Sequence, residues 1–236
     1  TLADGDHTRA FLKIQDGCNY NCSFCVIPKA RGRSRALESA QVVVEAEKLL
    51  EEGFKEIVLT GVNIGEYEKA AQTPFHELVA RLLELPRLER LRLSSVEPNT
   101  ITEDLLKVLK QSPKSMDHFH IPMQSGSDKI LREMRRKYTK AEYARVILMI
   151  KEYFPLAGIG ADIILGYPGE TDDDFEETFE FLKHLPITHF HPFPFSKRKG
   201  TLAAKMGNYI PHETKKTRVK AIIGLGETKL NMFAED

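Results

Sequence analysis

Short apolar runs rich in β-branched residues alternate with helix-period stretches along almost the whole chain, and this alternation constrains the fold more than any other feature. Repeated strand–helix units build a parallel sheet. Periodicity alone does not distinguish a doubly wound sheet from an open (βα)6 barrel, so the sequence predicts an α/β fold of either kind. The six predicted strands are Ala10 to Ile14, Glu56 to Thr60, Arg90 to Ser94, His118 to Ile121, Gly158 to Leu165 and His189 to Phe193.

Helical periodicity fills the intervals between these strands. Apolar residues recur at i, i+3, i+4, i+7 and i+8 from Phe75 to Leu83, and a similar stripe runs from Phe175 to Leu182. The stretch from Pro211 to Phe233 predicts a last helix, with one face formed by Val219, Ile222, Ile223 and Leu230. Because no Pro/Gly-rich linker or low-complexity segment interrupts the pattern, we expect residues 1–236 to form a single domain.

The charge balance excludes a globally basic nucleic-acid coat. The 236 residues include 34 Lys plus Arg and 34 Asp plus Glu, so the formal net charge is zero and polynucleotide binding would need a local patch. No apolar run approaches the roughly 20 residues of a membrane span, and the first ten residues lack the features of a secretory signal. We therefore expect a cytoplasmic protein that does not interact with membranes.

All three cysteines of the chain lie within eight positions, in the segment Cys18-Asn-Tyr-Asn-Cys22-Ser-Phe-Cys25. This C-x3-C-x2-C spacing follows the first predicted strand and precedes the first long helix, so it indicates a βα loop at the face where barrels form sites. Three thiolates suit a soft metal, and in an iron–sulfur cube they would leave one iron open. The alternatives are a zinc site completed by His7 or Asp16, or free thiols.

The cysteine motif, with the aromatic Phe24 before its last cysteine, resembles the signature of the radical S-adenosylmethionine (SAM) superfamily. The resemblance implies an open, partial TIM-like (βα)6 barrel. It also implies that Cys18, Cys22 and Cys25 are the catalytic metal ligands, binding a [4Fe-4S] cluster whose open iron is chelated by S-adenosyl-L-methionine. An electron donor such as flavodoxin or ferredoxin would reduce the cluster, one electron would release a 5′-deoxyadenosyl radical, and Phe24 would lie against the adenine of the cofactor.

Further phrases resemble the methylthiotransferase branch of that superfamily from Phe11 to about Lys229. They include FLKIQDGCNYNCSFCVIPKARGRSR, VLTGVNIGEY, LSSVEP, DIILGYPGETDDDF and FPFSKRKGTLAA. IPKARGRSR, LTGVNIG and SKRKGT are most similar to the tRNA enzymes that act on threonylcarbamoyladenosine, which implies the tRNA anticodon stem-loop as partner. The alternatives are an enzyme for isopentenyladenosine in tRNA or for a ribosomal-protein aspartate, and a non-catalytic fragment that binds a cluster and RNA.

Methylthiotransferases of this branch carry two further domains that this sequence lacks. One is an N-terminal domain with three cysteines for a second cluster, and the other is a C-terminal TRAM domain that binds RNA. We therefore expect residues 1–236 to be the radical SAM core alone. By resemblance, the whole enzyme removes hydrogen from C2 of the adenine, takes sulfur from the second cluster and takes the methyl group from another cofactor molecule.

Polar residues and glycines after the second and third strands are candidate cofactor contacts. Thr60, Gly61 and Asn63 follow the second strand, where the superfamily holds the amino group of the methionine part. Ser95 and Glu97 follow the third strand and suit recognition of ribose hydroxyls. The structural alternatives are a simple βα turn in the first case and, in the second, capping of a helix that begins near residue 101 by Ser94, Ser95 or Asn99.

Four more candidate cofactor contacts come later in the chain, three of them near strand ends and Arg136 in a basic cluster: Gln124, Arg136, Gly166 and Phe195. Gln124 ends the fourth strand, and capping by Ser127 is expected to explain part of the polar segment that follows it. Gly166 begins a Gly-Tyr-Pro-Gly turn before a helix expected to be capped by Thr171. Phe195 follows the sixth strand, and aromatic rings there could stack on a base, shield the radical from water or belong to the core.

Basic residues cluster in three segments despite the zero net charge. Two of the clusters lie on loops of the predicted catalytic face, and they supply the candidate RNA-binding residues Arg31, Arg33, Lys197, Arg198 and Lys199. The remaining basic cluster, which lies between these two in the sequence, surrounds Arg136. Pairing with the many carboxylates, or a solvated surface, is the alternative for each residue.

Four histidines alternate on two of the predicted strands, so the members of each pair share a face: His118 with His120, and His189 with His191. Two such pairs could form a metal site. Because no carboxylate pattern supports one, we expect polar lining of the barrel instead.

Overall fold

The computed structural model describes residues 8–235, and the six predicted strands and three predicted helices are all present in that range. The strands are β1 (Ala10–Asp16), β2 (Arg35–Ala36), β3 (Glu56–Gly61), β4 (Arg90–Leu93), β5 (His118–His120), β6 (Gly158–Leu165) and β7 (His189–Pro194). The helices are α1 (Ile27–Arg31), α2 (Ser39–Glu51), α3 (Tyr67–Ala71), α4 (Phe75–Leu83), α5 (Glu103–Lys110), α6 (Asp128–Glu133), α7 (Lys140–Tyr153), α8 (Asp172–His184) and α9 (His212–Glu235).

The described chain divides into two compact units. Unit 1 comprises residues 8–19, 27–120 and 152–157, and unit 2 comprises residues 20–26, 121–151 and 158–235. Both units are built from strand–helix repeats. Among residues 8–235, no helix has the length and apolar character that a membrane span needs.

Unit 1 contains a four-stranded sheet in the order β2-β1-β3-β4. β1, β3 and β4 are parallel, with Leu12 opposite Leu59, and these inward side chains are buried. α2 packs on β1, and α4 contacts both α2 and α5. Because the strands are parallel, their carboxyl ends lie at one edge of the sheet, where Gln15 pairs with Gly61. The segments that follow β1 and β3 therefore begin side by side.

β2 is the strand that sequence periodicity did not predict. It contains two residues, Arg35 and Ala36, and pairs antiparallel with the end of β1. A strand this short has no alternation to detect. Its effect is to fold the segment after the cysteine loop back onto β1.

Unit 2 is built around β6 and β7, which are parallel. The segment 121–124 runs along the other side of β6, where the Ile121 N–H donates to the Gly160 carbonyl (2.8 Å) and the Ile164 N–H to the Gln124 carbonyl (2.9 Å). α9 packs on β7 and contacts α8. The rings of His189 and His191 on β7 lie 5.6 Å apart, as expected for residues on one face.

The helix expected to begin near residue 101 begins at Glu103 instead. Its cap is Thr102, whose Oγ1 accepts the Leu105 N–H at 3.2 Å. The capping predicted for Ser94, Ser95 or Asn99 is therefore wrong. Ser94 and Ser95 precede a separate 3-10 turn at Pro98–Thr100, and Asn99 lies within that turn.

Of the two other predicted caps, one is confirmed. Thr171 caps α8 and forms a capping box with Asp174. Ser127 occupies the first position before α6, but its side chain makes no capping hydrogen bond. Its hydroxyl donates instead to Asp174 Oδ1 at 2.9 Å, so the capping role predicted for Ser127 is wrong.

The helix predicted at the end of the sequence is α9, but its apolar face is only partly buried. Ile222 is fully buried, whereas Ile223 and Leu230 are 44% and 48% exposed. The other buried side chain of this helix is Arg218, which is engaged in an ion pair. The buried stripe of α9 is therefore anchored by a charge as well as by apolar contacts.

Candidate metal and cofactor site

The cysteine motif occupies the loop between β1 and α1, as the sequence predicts. All three thiols are free; Cys22 is buried, and Cys18 and Cys25 are partly exposed. The Cys25 N–H donates to the Cys22 carbonyl (3.2 Å), which makes a tight turn, and the Cys18 N–H donates to the Gly32 carbonyl (3.1 Å). Cys18 belongs to unit 1, and the other two cysteines belong to unit 2. Each of the three free thiols is a candidate donor for a soft metal.

Asn63 lies beside Cys18 in unit 1. Its Nδ2 is 3.8 Å from the Cys18 sulfur, and the side chain is buried. Its Oδ1 is also buried and accepts no hydrogen bond within the described chain. A buried carbonyl oxygen without a donor costs free energy, so this atom suits an N–H donor from a bound group. The position fits an ammonium group next to the metal ligand.

Packing within the chain explains why glycine stands at position 61, close to Asn63. A Cβ at this position would lie 2.9 Å from both the Gln15 carbonyl oxygen and the Ile64 side chain. Glycine therefore lets the chain pack against itself here, whether or not a ligand approaches. Thr60, the residue before it, pairs with Lys13 of β1 and is partly buried.

Ser95 and Glu97 both lie in the segment after β4, and they differ in solvent exposure. Ser95 is exposed, whereas Glu97 is partly buried. The Glu97 carbonyl accepts hydrogen bonds from Thr100 through its N–H (2.9 Å) and its hydroxyl (2.7 Å), which fixes the turn. Recognition of ribose by Ser95 and Glu97 stays a prediction.

Arg136 contacts the cysteine loop within unit 2. Its Nη1 is 3.2 Å from the Cys22 sulfur, and its Nε donates to the Tyr138 hydroxyl at 3.1 Å. The guanidinium also lies over the Tyr138 ring, 5.1 Å from the ring centre. The Cys22 sulfur therefore has a positive charge within hydrogen-bond distance, which would stabilise negative charge on that sulfur.

Phe24 packs against a buried apolar cluster of unit 2, which comprises Ile130, Met134, Tyr167, Phe195 and Ala203. Within that cluster, the rings of Tyr167 and Phe195 meet edge to face at 5.5 Å. The Tyr167 hydroxyl lies 2.7 Å from the Ser23 hydroxyl. Because Ser23 precedes Phe24, these contacts hold the second half of the cysteine loop against the core.

A cavity of about 320 Å³ opens in unit 2 next to Phe24. Its aromatic wall includes Phe193, which is 52% exposed and available for stacking. The cavity brings together four residues predicted from the sequence as cofactor or RNA contacts, and adds others: the lining is Phe24, Gln124, Asp162, Ile164, Phe193, Pro194, Phe195, Ser196 and Arg198. The combination of aromatic rings with an arginine and an aspartate suits a planar polar ligand.

Two of the predicted cofactor contacts have specific backbone conformations. Gln124 has φ +67°, a left-handed conformation that is uncommon outside glycine. Gly166 has φ +72°, and a Cβ there would lie 2.1 Å from the Lys215 side chain. Gly166 is therefore required by packing against α9, and it does not line the cavity.

The predicted RNA-binding residues are exposed, but several already have partners. Arg31 lies 3.9 Å from the Asp16 carboxylate. Lys197 lies 3.3 Å from the centre of the Tyr209 ring, a cation–π contact. Arg33 and Lys199 are exposed, and Arg198 borders the cavity of unit 2.

The zinc alternative loses its proposed ligand Asp16. Hydrogen bonding from Lys13 and from the Gly17 N–H, with the charge of Arg35, lowers the pKa of this carboxyl group. Its Oδ2 lies 3.0 Å from Lys13 Nζ and 2.5 Å from Arg35 Nη2. The Asp16 carboxylate therefore already pairs with Lys13 and Arg35. His7, the other proposed zinc ligand, lies outside the described residues.

Sequence reasoning missed three polar residues close to the candidate contacts. Gln15 and Glu66 are buried and hydrogen bond to the segments that carry Cys18 and Asn63. Asp162 lines the cavity of unit 2. A polar residue within a strand whose other residues are mostly apolar is the signal that could have identified Gln15 and Asp162.

Comparisons with known proteins agree with the resemblance seen in the sequence. A family model described as the radical SAM superfamily matches residues 12–182. The solved structure of the radical S-adenosylmethionine methyltransferase TsrM from Kitasatospora setae, with cobalamin and a [4Fe-4S] cluster bound, has a TM-score of 0.69 at 20% identity, over 83% of this chain and 38% of that one. This likeness confirms the predicted α/β fold of the radical SAM type.

Curated relatives resemble the chain over nearly its whole length. The threonylcarbamoyladenosine tRNA methylthiotransferase MtaB of Aquifex aeolicus (strain VF5) is 41% identical over 227 residues, 96% of this chain and 55% of the relative. A tRNA-2-methylthio-N(6)-dimethylallyladenosine synthase of Caldicellulosiruptor saccharolyticus is 38% identical over 220 residues, 92% of this chain and 47% of the relative. The chain thus spans about half the length of these relatives. Since the family model covers most of the sequence and includes the cysteine loop, this chain belongs to the radical SAM superfamily.

Proposed function

We propose that the chain is the radical-generating core of a tRNA methylthiotransferase that modifies N6-threonylcarbamoyladenosine next to the anticodon. The observation that carries the proposal is the loop of three free cysteines after β1, with the buried, unsatisfied Asn63 oxygen beside Cys18. The similarity to curated tRNA methylthiotransferases supports the reaction class. Because the chain covers about half of those relatives, the rest of the enzyme is proposed to supply the second cluster and the RNA-binding TRAM domain.

The residues fit a [4Fe-4S] cluster and S-adenosyl-L-methionine. When bound, these groups would supply one-electron cleavage of the cofactor and the radical chemistry that follows from it. Cys18, Cys22 and Cys25 supply three thiolates and leave one iron position for the cofactor. Asn63 Oδ1 accepts from the ammonium group of the cofactor, and Arg136 stabilises negative charge on the Cys22 sulfur.

The aromatic residues exclude water from the reacting groups. Phe24 packs on the apolar side-chain cluster of unit 2 that contains Phe195, and the Phe24 and Phe195 rings both line the cavity of unit 2. The exposed ring of Phe193 provides a surface on which a purine can stack. An apolar environment of this kind protects a carbon radical from quenching by solvent.

Arg198 favours the threonylcarbamoyl substituent over the isopentenyl one. It borders the cavity together with Ser196. A threonyl group carries a carboxylate, which pairs with a guanidinium and a hydroxyl, whereas an isopentenyl group offers nothing to either. The relative with the higher identity of the two described above also acts, by its name, on threonylcarbamoyladenosine.

The proposed macromolecular partners are a tRNA anticodon stem-loop and an electron donor such as flavodoxin or ferredoxin, in the cytoplasm. Arg31, Arg33 and the segment 197–199 supply exposed positive charge for phosphate. If Arg31 and Arg33 contact phosphates, changing both to Glu in the full-length protein flattens the dependence of log affinity on log salt by about 0.7 to 0.9 per lost contact. An unchanged slope with normal tRNA modification contradicts docking through these residues.

The decisive experiment is anaerobic reconstitution of the chain, followed by iron and sulfide counting and mass spectrometry of cofactor cleavage products. Release of 5′-deoxyadenosine under reducing conditions supports the enzymatic proposal, and a cluster-loaded chain that releases none is a binding module only. The full-length protein is then given tRNA with threonylcarbamoyladenosine, tRNA with isopentenyladenosine, or ribosomal protein. Methylthiolation of either alternative substrate in preference to the first contradicts the proposed specificity.

A further inference from the structure

Gln15 connects the start of the cysteine loop to the segment that carries Asn63. The side chain is buried, with 2% of the residue exposed. Its Nε2 donates to the Gly17 carbonyl (2.7 Å) and to the Ser34 hydroxyl (2.8 Å), while its Oε1 accepts the Asn63 N–H (2.8 Å). One amide group therefore binds the residue that precedes Cys18 and the backbone of Asn63 at the same time.

Glu66 makes a second connection on the other side of Cys18. It is 5% exposed and ends the 3-10 turn that directly follows Asn63. Its Oε2 accepts the Asn19 N–H at 2.8 Å. A carboxylate that accepts a backbone N–H makes a charge-assisted hydrogen bond, which is stronger than a neutral one. The residues on both sides of Cys18 are thus bound to the segment that carries Asn63.

Close packing leaves this connection little freedom to adjust. Gly17 has φ +72°, and a Cβ there would lie 2.1 Å from the Arg33 carbonyl oxygen. At Gly61, a Cβ would lie 2.9 Å from the Gln15 carbonyl oxygen. Since backbone fills the space on both sides, a substitution of Gln15 would not be compensated by a simple shift of the loop.

We propose that Gln15 and Glu66 are positioning residues that fix the Cys18 sulfur relative to Asn63. The inference rests on the proposed function. Its consequence is that Asn63, which would contact the ammonium group of the cofactor, keeps a fixed position relative to the cluster ligand Cys18. Neither side chain needs to touch the cofactor. The two hydrogen-bond connections share no atom, so each can be removed separately.

The first test uses the cofactor-free chain and measures amide hydrogen exchange by mass spectrometry in Gln15→Met and Glu66→Ala. Each substitution removes one connection, so exchange should rise about tenfold in both the 17–19 and 62–66 segments, for a loss of about 1.4 kcal/mol in local stability. Glu66→Gln keeps an acceptor for the Asn19 N–H and should restore slow exchange. Gln111→Met, at an exposed position after α5, is the matched control.

The second test measures S-adenosyl-L-methionine affinity after anaerobic reconstitution, from the change that the cofactor causes in the electron paramagnetic resonance of the reduced cluster. We expect Gln15→Met and Glu66→Ala to keep wild-type iron and sulfide content but to bind the cofactor about tenfold more weakly. If Gln15→Met does not fold, the comparison of Glu66→Ala with Glu66→Gln decides whether the inference holds. Unchanged exchange and affinity, or faster exchange only beside the substituted residue, would overturn the inference. A wild-type chain that binds no cluster refutes the proposed function, while the exchange experiment still decides the connection between the two segments.

Discussion

The buried ion pair between Arg218 and Glu170 gives the sharpest stability prediction for unit 2. Arg218 extends from α9 to the turn between β6 and α8, where its Nη1 lies 2.5 Å from Glu170 Oε2 and its Nη2 donates to Asp172 Oδ1 at 2.7 Å. The side chains of Arg218 and Glu170 are 5% and 1% exposed. Changing Arg218 to Met keeps most of the apolar volume and removes the charge.

The size of the effect follows from what remains around Glu170. After the change, the carboxylate keeps the Gly166 N–H at 2.7 Å but loses its buried counter-ion. Breaking a buried pair by removing one partner costs about 3–5 kcal/mol. Burial already raises the pKa of Glu170, opposed by the Gly166 N–H and Arg218, so removing Arg218 should raise this pKa further. The folded variant then binds a proton more tightly than the unfolded chain, and its stability falls as pH rises through the folded pKa.

The assay is urea unfolding of the cofactor-free chain, followed by circular dichroism at about pH 5 and about pH 8. We expect Arg218→Met to lose about 3–5 kcal/mol at the higher pH and less at the lower one. Adding Glu170→Gln should recover most of the loss, because it removes the unpaired charge. Lys183→Met, which breaks an exposed pair with Glu180, should cost about 0–1 kcal/mol. A small, pH-independent loss in Arg218→Met would refute the reasoning.

Three further changes test the metal ligands, the cofactor contact and a carboxylate network. Cys22→Ala should lose most cluster absorbance after anaerobic reconstitution, and unchanged iron content would contradict its assignment as a ligand. Asn63→Ala should weaken cofactor binding by about 1–3 kcal/mol in a paramagnetic resonance titration, whereas the exposed Asn231→Ala should not, and equal affinities would exclude the contact. Although burial raises the pKa of Asp174, hydrogen bonds from Lys129 and other donors lower it to about 2, so about 2 kcal/mol of stability should be lost as pH falls from about 4 to about 2. Asp174→Asn should abolish that pH dependence of urea unfolding, and a profile like that of the wild type would show that another group causes it.

The strands were predictable because their signal is local. β6 reads as an apolar run in the sequence and is buried along most of its length. The cap of α5 was not predictable in the same way, since several serines and threonines precede the helix and only the backbone geometry selects Thr102. The segment around Ser127 shows the same limit: its hydroxyl bonds to Asp174, 47 residues away, rather than to its own helix.

Glycines at the predicted site show why a correct motif does not give the physical role of each residue. Gly61 and Gly166 were both interpreted as places where a ligand approaches the backbone. In the structure, a Cβ at Gly61 would meet Gln15 and one at Gly166 would meet Lys215. The requirement for a small residue is the same whether a ligand or the chain itself fills the space, so the sequence alone cannot distinguish them.

Arg136 shows what the sequence lacked at the metal site itself. The sequence predicts Arg136 as a cofactor contact or as the partner of a carboxylate. In the structure its Nη1 lies 3.2 Å from the sulfur of Cys22, 114 residues earlier in the chain. A hydrogen bond from a guanidinium to a sulfur stabilises negative charge on that sulfur, so this contact would support a metal-bound thiolate at Cys22. The cysteine spacing therefore predicts which atoms bind the metal, whereas a residue distant in sequence acts on the charge at one of them. Only the tertiary fold brings the two together.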